Sequence, residues 1–270
     1  MSDGLELPRH DEDASKQDRG QVLVVGGGRE TPGAVLLAGL AALRVGAGKL
    51  QIATAASAAP SLAIAVPEAR VIGLAETAAG ELDASCAARV AELAGDADAV
   101  LIGPGVLDDG GMDEVLAALL DAASGIVVVD AGALPALGRR DGVPGRVIAV
   151  PNASELAHLG SDAVSVARRL GIVVACRDAA TTVAAADGRT WTDDSGCLGL
   201  ATSGSGDVAA GAVAGLAARG ATPEAAALWG ARLHGRAGER LGGIGFLARE
   251  LLDELPRVLP DQEAERPPRC

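Results

Sequence analysis

Aromatic side chains are almost missing: two Trp, one Phe and no Tyr in 270 residues. That excludes a nucleic-acid surface built on stacking aromatics. A net charge of −13 removes the generalised basic footprint of such a surface as well. An anionic ligand has to be held by local dipoles and a few cations, against the global field. Cysteine and histidine are equally sparse. Cys86, Cys176, Cys197 and Cys270 lie far apart with no C-x-x-C pair, and His10, His158 and His234 are scattered. The pattern offers no zinc site and reads as reduced thiols. Long apolar runs are absent too, each being interrupted by Gly, Pro or a charge, so no membrane span is expected. The opening MSDGLELPRHDEDASKQDRG has no apolar segment of a signal peptide. The expectation is a cytoplasmic protein that engages neither nucleic acid nor membrane.

What is present is a core of small residues. Apolar side chains make up 49% of the chain, and without aromatics they must be mainly Ala, Val and Leu. Residues 1–19 and 260–270 are charged and contain proline, so a disordered polar tail and a frayed tail are expected there. No linker interrupts residues 20–259, which read as a single domain. QVLVV (21–25), KLQIAT (49–54), AVLIG (99–103), GIVVVD (125–130), RVIAV (146–150) and GIVVAC (171–176) are mostly apolar without alternation. Such runs predict strands covered on both faces. Helical stretches between them predict an α/β fold with a mainly parallel sheet, and the pattern turns helical after residue 206.

Ligands of such sheets bind beyond the carboxyl ends of the strands. There the chain places GGGRETPG (26–33), GPGVLDDGG (103–111), DAGALP (130–135) and PNASE (151–155). Each loop alone is ordinary turn chemistry; together they line one rim. GGGRETPG fits neither G-x-G-x-x-G nor G-x-x-x-x-G-K-[ST], and is either a strand-to-helix turn or bare backbone for a ligand. Pro104 and Gly105 suit a type II turn. Asn152 and Glu155 stand at N-x-x-E spacing, which a helix cap explains. Functionally, Asn152 would touch substrate and Glu155 would hold a metal-bound water. Arg177 and Thr181, ahead of a hairpin turning at Asp187-Gly188, are surface residues or phosphate ligands.

SGSGDVAAG (203–211) carries the strongest signal. A helix starting near Gly206 presents unpaired N–H groups and a positive dipole end to an anion. Gly204 and Gly206 let a phosphate approach the backbone. Asp207 as a dipole complement gains only about 0.3–1 kcal/mol. That does not explain the flanking glycines or the small-residue helix that follows. A base beside a phosphate cradle does, since phosphoryl transfer needs a group to accept the proton of the attacking hydroxyl.

SGSGD resembles the GTGD-type anion hole of ribokinase-like proteins. The ordered set GGGRETPGAVLLAGLAALRVGAGKLQIAT, LIGPG, VVVDAGAL, VPNASELAHL, CLGLATSGSGDVAAGAVAGLAARG, LHGRAGE and GFLARELLDELP is similar to the ADP/ATP-dependent NAD(P)H-hydrate dehydratases, over about residues 20–259. The resemblance implies a ribokinase-like α/β fold, a central mostly parallel sheet with helices on both faces. It implies hydrated NADH or NADPH as substrate. ADP (or ATP), with a divalent cation such as Mg²⁺, phosphorylates the added hydroxyl, and loss of phosphate restores NAD(P)H. A homo-oligomer, a tetramer by the family's habit, is also implied. The epimerase domain often fused upstream does not fit into 19 polar residues, so an epimerase encoded separately is expected as functional partner.

Carried onto this chain, Asp207 is the catalytic and substrate-contacting residue. Ala34, Gly105 and Asn152 fall on the substrate side. Arg177, Asp178, Ala179, Ala180 and Thr181 form the nucleotide-binding run, joined by Gly204, Ser205 and Gly206. Glu155 is the candidate metal residue, acting through water. The chain departs from the family where Asn152 replaces a His and Arg177-Asp178 replaces Lys-Gly, the added carboxylate being repulsive to a phosphate. Ser205 stands for Thr, and Gly132 for the second Asp of a DAD-like motif whose first, Asp130, remains. Two other readings stay open. The pair Asn152-x-x-Glu155 suits a ribokinase-like ATP-dependent small-molecule kinase, and the departures suit a nucleotide-binding protein without catalysis. The long N-terminal match favours the dehydratase.

Overall fold

The computed structural model describes residues 5–8, 13–107, 111–144 and 146–260. The apolar runs become strands β1 (Gln21–Val25), β2 (Lys49–Ala55), β3 (Ala69–Leu74), β4 (Ala99–Ile102), β5 (Ile126–Val129), β6 (Val147–Ala149) and β7 (Val173–Cys176). All seven pair in parallel. An antiparallel hairpin of β8 (Thr181–Ala184) and β9 (Thr190–Asp193) extends the edge, turning where Gly188 adopts φ +91°. Among the described residues the order is β3-β2-β1-β4-β5-β6-β7-β8-β9. The chain runs outward from β1 and then restarts at β4 on its other side. That makes the β1/β4 junction the switch point at which a crevice opens.

Helices α1 (Pro32–Arg44), α2 (Ala59–Ala65), α3 (Ala87–Gly95), α4 (Met112–Ala122) and α5 (Leu134–Gly138) alternate with the first strands. α6 (Ala163–Leu170), α7 (Ser205–Ala218), α8 (Pro223–Leu241) and α9 (Ala248–Val258) follow. Alternate residues of β1 serve the two faces. Val22 and Val24 join a core with α1, α7, α8 and α9, whereas Leu23 and Val25 join one with α3, α4, α5 and α6. Burial on both sides is why these strands read as unbroken apolar runs. The scarcity of large side chains has a structural counterpart: a Cβ on Gly211 would lie 2.1 Å from Ala38 O, and one on Gly215 would lie 2.6 Å from Ala42 O. α1 and α7 therefore approach backbone to backbone, which only Gly and Ala permit.

The polar tail expected over residues 1–19 needs correction where it is described. Leu5 and Leu7 pack against the core, and Trp229 Nε1 donates to Leu5 O at 2.9 Å. Arg219 Nη2 reaches Pro8 O at 3.4 Å, and Gly48 N donates to Arg19 O at 3.1 Å. Two leucines and one indole N–H in need of an acceptor outweigh the surrounding charge. The C-terminal tail lies, beyond residue 260, outside the described residues. No helix among the described residues is long and apolar enough to cross a membrane.

Candidate active site

Two loops meet at the switch point. After β1, Gly27 N donates to Pro104 O at 2.8 Å, Gly28 N to Gly105 O at 3.0 Å, and Thr31 Oγ1 to Gly105 O at 2.6 Å. Gly105 has φ +67°, and a Cβ there would stand 2.9 Å from that of Ala34. Ala34 and Gly105 are thus neighbours on one rim. Of the loop that continues from Gly105, residues 108–110 lie outside the described residues.

A cleft of about 900 Å³ opens beside this rim. Arg177, Asp178, Ala179, Thr181, Gly204, Ser205, Gly206 and Asp207 line it, together with Asn152 and Glu155; Ala180 does not. A second cavity of about 680 Å³ includes Val106, Gly132 and His158, and shares Ala131 and Glu155 with the first. All the expected nucleotide residues except Ala180 are therefore gathered in one cleft. Ala34 and Gly105 lie outside it, across a seam formed by the residues after β5.

Arg177 is placed by backbone pairing beyond the ends of β6 and β7. Its N–H donates to Pro151 O at 2.9 Å, and its carbonyl accepts from Ala153 N at 3.0 Å. The guanidinium then reaches across the end of β6. Nη2 donates to Val150 O at 3.0 Å and to Asp130 Oδ1 at 3.4 Å, and stands 3.9 Å from Glu155 Oε2. Nη1 faces α7: a Cβ on Gly206 would lie 2.8 Å from it. Arg177 Nε is buried without a hydrogen-bond partner.

The start of α7 has the geometry of an anion site. Gly204 takes φ +84°, Ser205 N donates to Thr202 O and Val208 N to Gly204 O. The amides of Gly206 and Asp207 between them have no partner among the described residues. Ser205 departs from the expected role in one respect: its hydroxyl lies 2.8 Å from His234 Nε2 and is engaged there. Burial, with Arg177 adding repulsion, lowers the His234 pKa to about 3, so this imidazole is neutral.

Two carboxylates flank Arg177. Burial raises the Asp207 pKa to about 6; Arg177 opposes the rise and Glu155 adds to it. Asp130, 2% exposed, is raised to about 7, again by burial first, with Arg177 opposing and Glu155 and Asp207 adding. Next to it Ala131 adopts φ +45°, a left-handed conformation costly for a residue with a Cβ, at the seam of the two cavities. Asn152 and Glu155 form the reciprocal cap that their spacing suggests. Asn152 Oδ1 accepts from Ser154 N and Glu155 N, both at 2.9 Å, and Glu155 Oε2 accepts from Asn152 N at 2.8 Å.

Asp130 and His234 line the cleft without having been selected as site residues from the sequence. Asp130 closes the run GIVVVD in a loop already on the rim, so its position was a usable signal. His234 falls within LHGRAGE, but its partner Ser205 is 29 residues away on another helix, so only the fold brings the two together.

The NAD(P)H-hydrate dehydratase family model matches residues 22–257. A curated ADP-dependent (S)-NAD(P)H-hydrate dehydratase of Xanthomonas campestris is 44% identical, over 90% of this chain and 89% of its own. The chain also spans about half the length of bifunctional NAD(P)H-hydrate repair enzymes that it matches. Among solved structures, the ADP/ATP-dependent NAD(P)H-hydrate dehydratase of Bacillus subtilis, co-crystallised with ATP/Mg²⁺, superposes with a TM-score of 0.79 at 30% identity, covering 93% of this chain and 92% of that one. A ribokinase-like superfamily protein of Enterococcus faecalis gives the same TM-score at 25% identity, over 93% and 90%. The fold is ribokinase-like, and the chain belongs to the NAD(P)H-hydrate dehydratase family.

Proposed function

We propose that the protein is an ADP-dependent (S)-NAD(P)H-hydrate dehydratase, restoring NADH or NADPH from the form in which water has added to the nicotinamide ring. One observation carries the reading: Asp207 stands at the open N-terminus of α7 and lines one cleft with Arg177. The nucleotide phosphates bind the free amides of Gly206 and Asp207 and the Arg177 guanidinium, with the run to Thr181 on the same side. The hydrated ring enters over Ala34, Gly105 and Asn152. Asp207 takes the proton of the ring hydroxyl as its oxygen attacks the terminal phosphorus of ADP, and AMP leaves.

Among the described residues no cluster of three or more His, Cys, Asp or Glu side chains could hold a metal alone. That suits Mg²⁺, which characteristically binds one or two carboxylates plus substrate phosphates. Glu155, through water, together with the nucleotide would hold the ion, which neutralises charge on the phosphates. The purified protein is to be incubated with the hydrate, Mg²⁺ and either ADP or ATP, following reduced-nicotinamide absorbance. Its return with ADP is expected; no return with either nucleotide overturns the reading. ATP consumed against other alcohols, without that return, would identify a small-molecule kinase.

A further inference from the structure

The reaction proposed above removes two protons from different atoms of the substrate, and the inference here rests on that reading. The hydroxyl loses one on phosphorylation. The ring carbon next to the phosphate-bearing carbon loses the other: its C–H pair becomes the new double bond, the C–O bond breaks, and orthophosphate departs with that electron pair. Asp207, in the phosphate cradle, serves the first proton. The second needs an acceptor between the nucleotide cleft and the crevice of Ala34 and Gly105.

Asp130 occupies that seam. It lines the cleft, and its backbone carbonyl packs so closely on the loop of Gly105 that a Cβ on Gly103 would meet it at 1.9 Å. The next residue, Ala131, faces both cavities from a strained conformation. Arg177 holds the carboxylate from the other side at 3.4 Å. We infer that Asp130 is the base of the elimination step, taking the carbon-bound proton onto its carboxylate and passing it to water after product release. A pKa near 7 suits a group that must accept and then release a proton at neutral pH. Glu155 borders both cavities too, but its Oε2 is committed to the Asn152 amide.

Single-turnover kinetics of Asp130→Asn test this, reading AMP formation and reduced-nicotinamide recovery separately. AMP should form within about threefold of the normal rate while recovery slows about 10²–10⁴-fold. A phosphorylated hydrate should then accumulate, visible by phosphorus NMR. Asp207→Asn should stop both signals. If both signals fall together in Asp130→Asn and ADP binds more weakly, Asp130 merely positions Arg177 and the inference is overturned. Normal recovery overturns it equally, as does the uncoupled signature appearing in Glu155→Gln instead. Asp130→Glu keeps the charge beside Arg177 and guards against misfolding; its recovery must slow more than its AMP formation. A wild-type protein that never restores the nicotinamide would sink the parent reading, an outcome distinct from these.

Discussion

Asp207→Asn separates two explanations of this residue, because they differ in the sign of a stability change. As a dipole complement of α7, the carboxylate would be missed, at a cost of about 0.3–1 kcal/mol. The site geometry implies the reverse. Burial lifts the Asp207 pKa from the ordinary 3.8 to about 6 in spite of Arg177, which corresponds to at most about 3 kcal/mol of penalty on the ionised folded state. Below 3.8 both folded and unfolded chains carry the proton and there is no penalty. Between 3.8 and about 6 only the folded chain holds it, so stability falls as pH rises, and above 6 the penalty is complete.

Asp207→Asn should therefore match the wild type near pH 4 and exceed it near pH 7.5 by up to about 3 kcal/mol, less whatever solvent screening removes. Denaturant unfolding at the two pH values measures this. The gain corresponds to a rise of roughly 2–4 °C in Tm per kcal/mol for a chain of this size. The same variant should lose about 10²–10⁴-fold in kcat, the usual contribution of a positioned general base. ADP affinity should hold or improve, because a negative charge beside the phosphates is gone. A variant less stable than the wild type at the higher pH, or one with near-normal kcat, refutes the reasoning.

Asn152→Asp keeps the oxygen that accepts from Ser154 N and Glu155 N, so stability should change by less than about 1 kcal/mol. KM for the hydrate should rise several-fold; an unchanged KM would leave Asn152 as a cap alone. Gly206→Ala suits the helix, alanine being favoured over glycine by about 1 kcal/mol, but its Cβ would stand 2.8 Å from Arg177 Nη1. Its Kd for ADP should rise about tenfold, equivalent to about 1.4 kcal/mol, with Tm unchanged or higher; undiminished ADP binding would remove Arg177 from the cradle. Replacing both Leu5 and Leu7 by Ala strips part-buried apolar area from the docked N-terminal segment. A loss of about 1–2 kcal/mol in unfolding free energy is expected, with kcat unaffected; an unaltered Tm would mean that the segment contributes nothing.

The central strands were legible because a strand buried on both faces leaves an unbroken β-branched run, as QVLVV and GIVVVD do. ARVIGL, which forms β3, escaped recognition for the opposite reason. It is the edge strand, its Arg70 and Gly73 break the apolar pattern, and its position is fixed by six paired residues of β2 rather than by its own composition. Average polarity hides the N-terminal segment, because what anchors it is a few specific contacts: the packing of Leu5 and Leu7 and the acceptors that Leu5 O and Pro8 O offer to Trp229 and Arg219.

The start of α7 was legible for a local reason: glycine spacing and a helical run produce the geometry of an anion site within ten residues. The partnership of Asp130, Arg177 and Gly206 is not local. It depends on Arg177 being laid beside Pro151 by backbone pairing, then spanning β6 to meet a residue 47 positions earlier. No periodicity encodes such a reach; only the strand order β5-β6-β7 creates it. The same order concentrates Asp130, Glu155, Asp178 and Asp207 around one arginine, the only Lys or Arg lining the cleft among the described residues. A cleft so rich in acid cannot attract phosphates by its side chains alone. On the reading proposed above, the attraction comes from the free amides of α7, from a divalent ion carried in with the nucleotide, and from the protonated forms of Asp130 and Asp207 that burial favours. Burial and Arg177 pull Asp130 and Asp207 in opposite directions: burial keeps them reluctant to ionise, which spares a phosphate their repulsion, whereas the proposed base chemistry requires the ionised form that Arg177 favours.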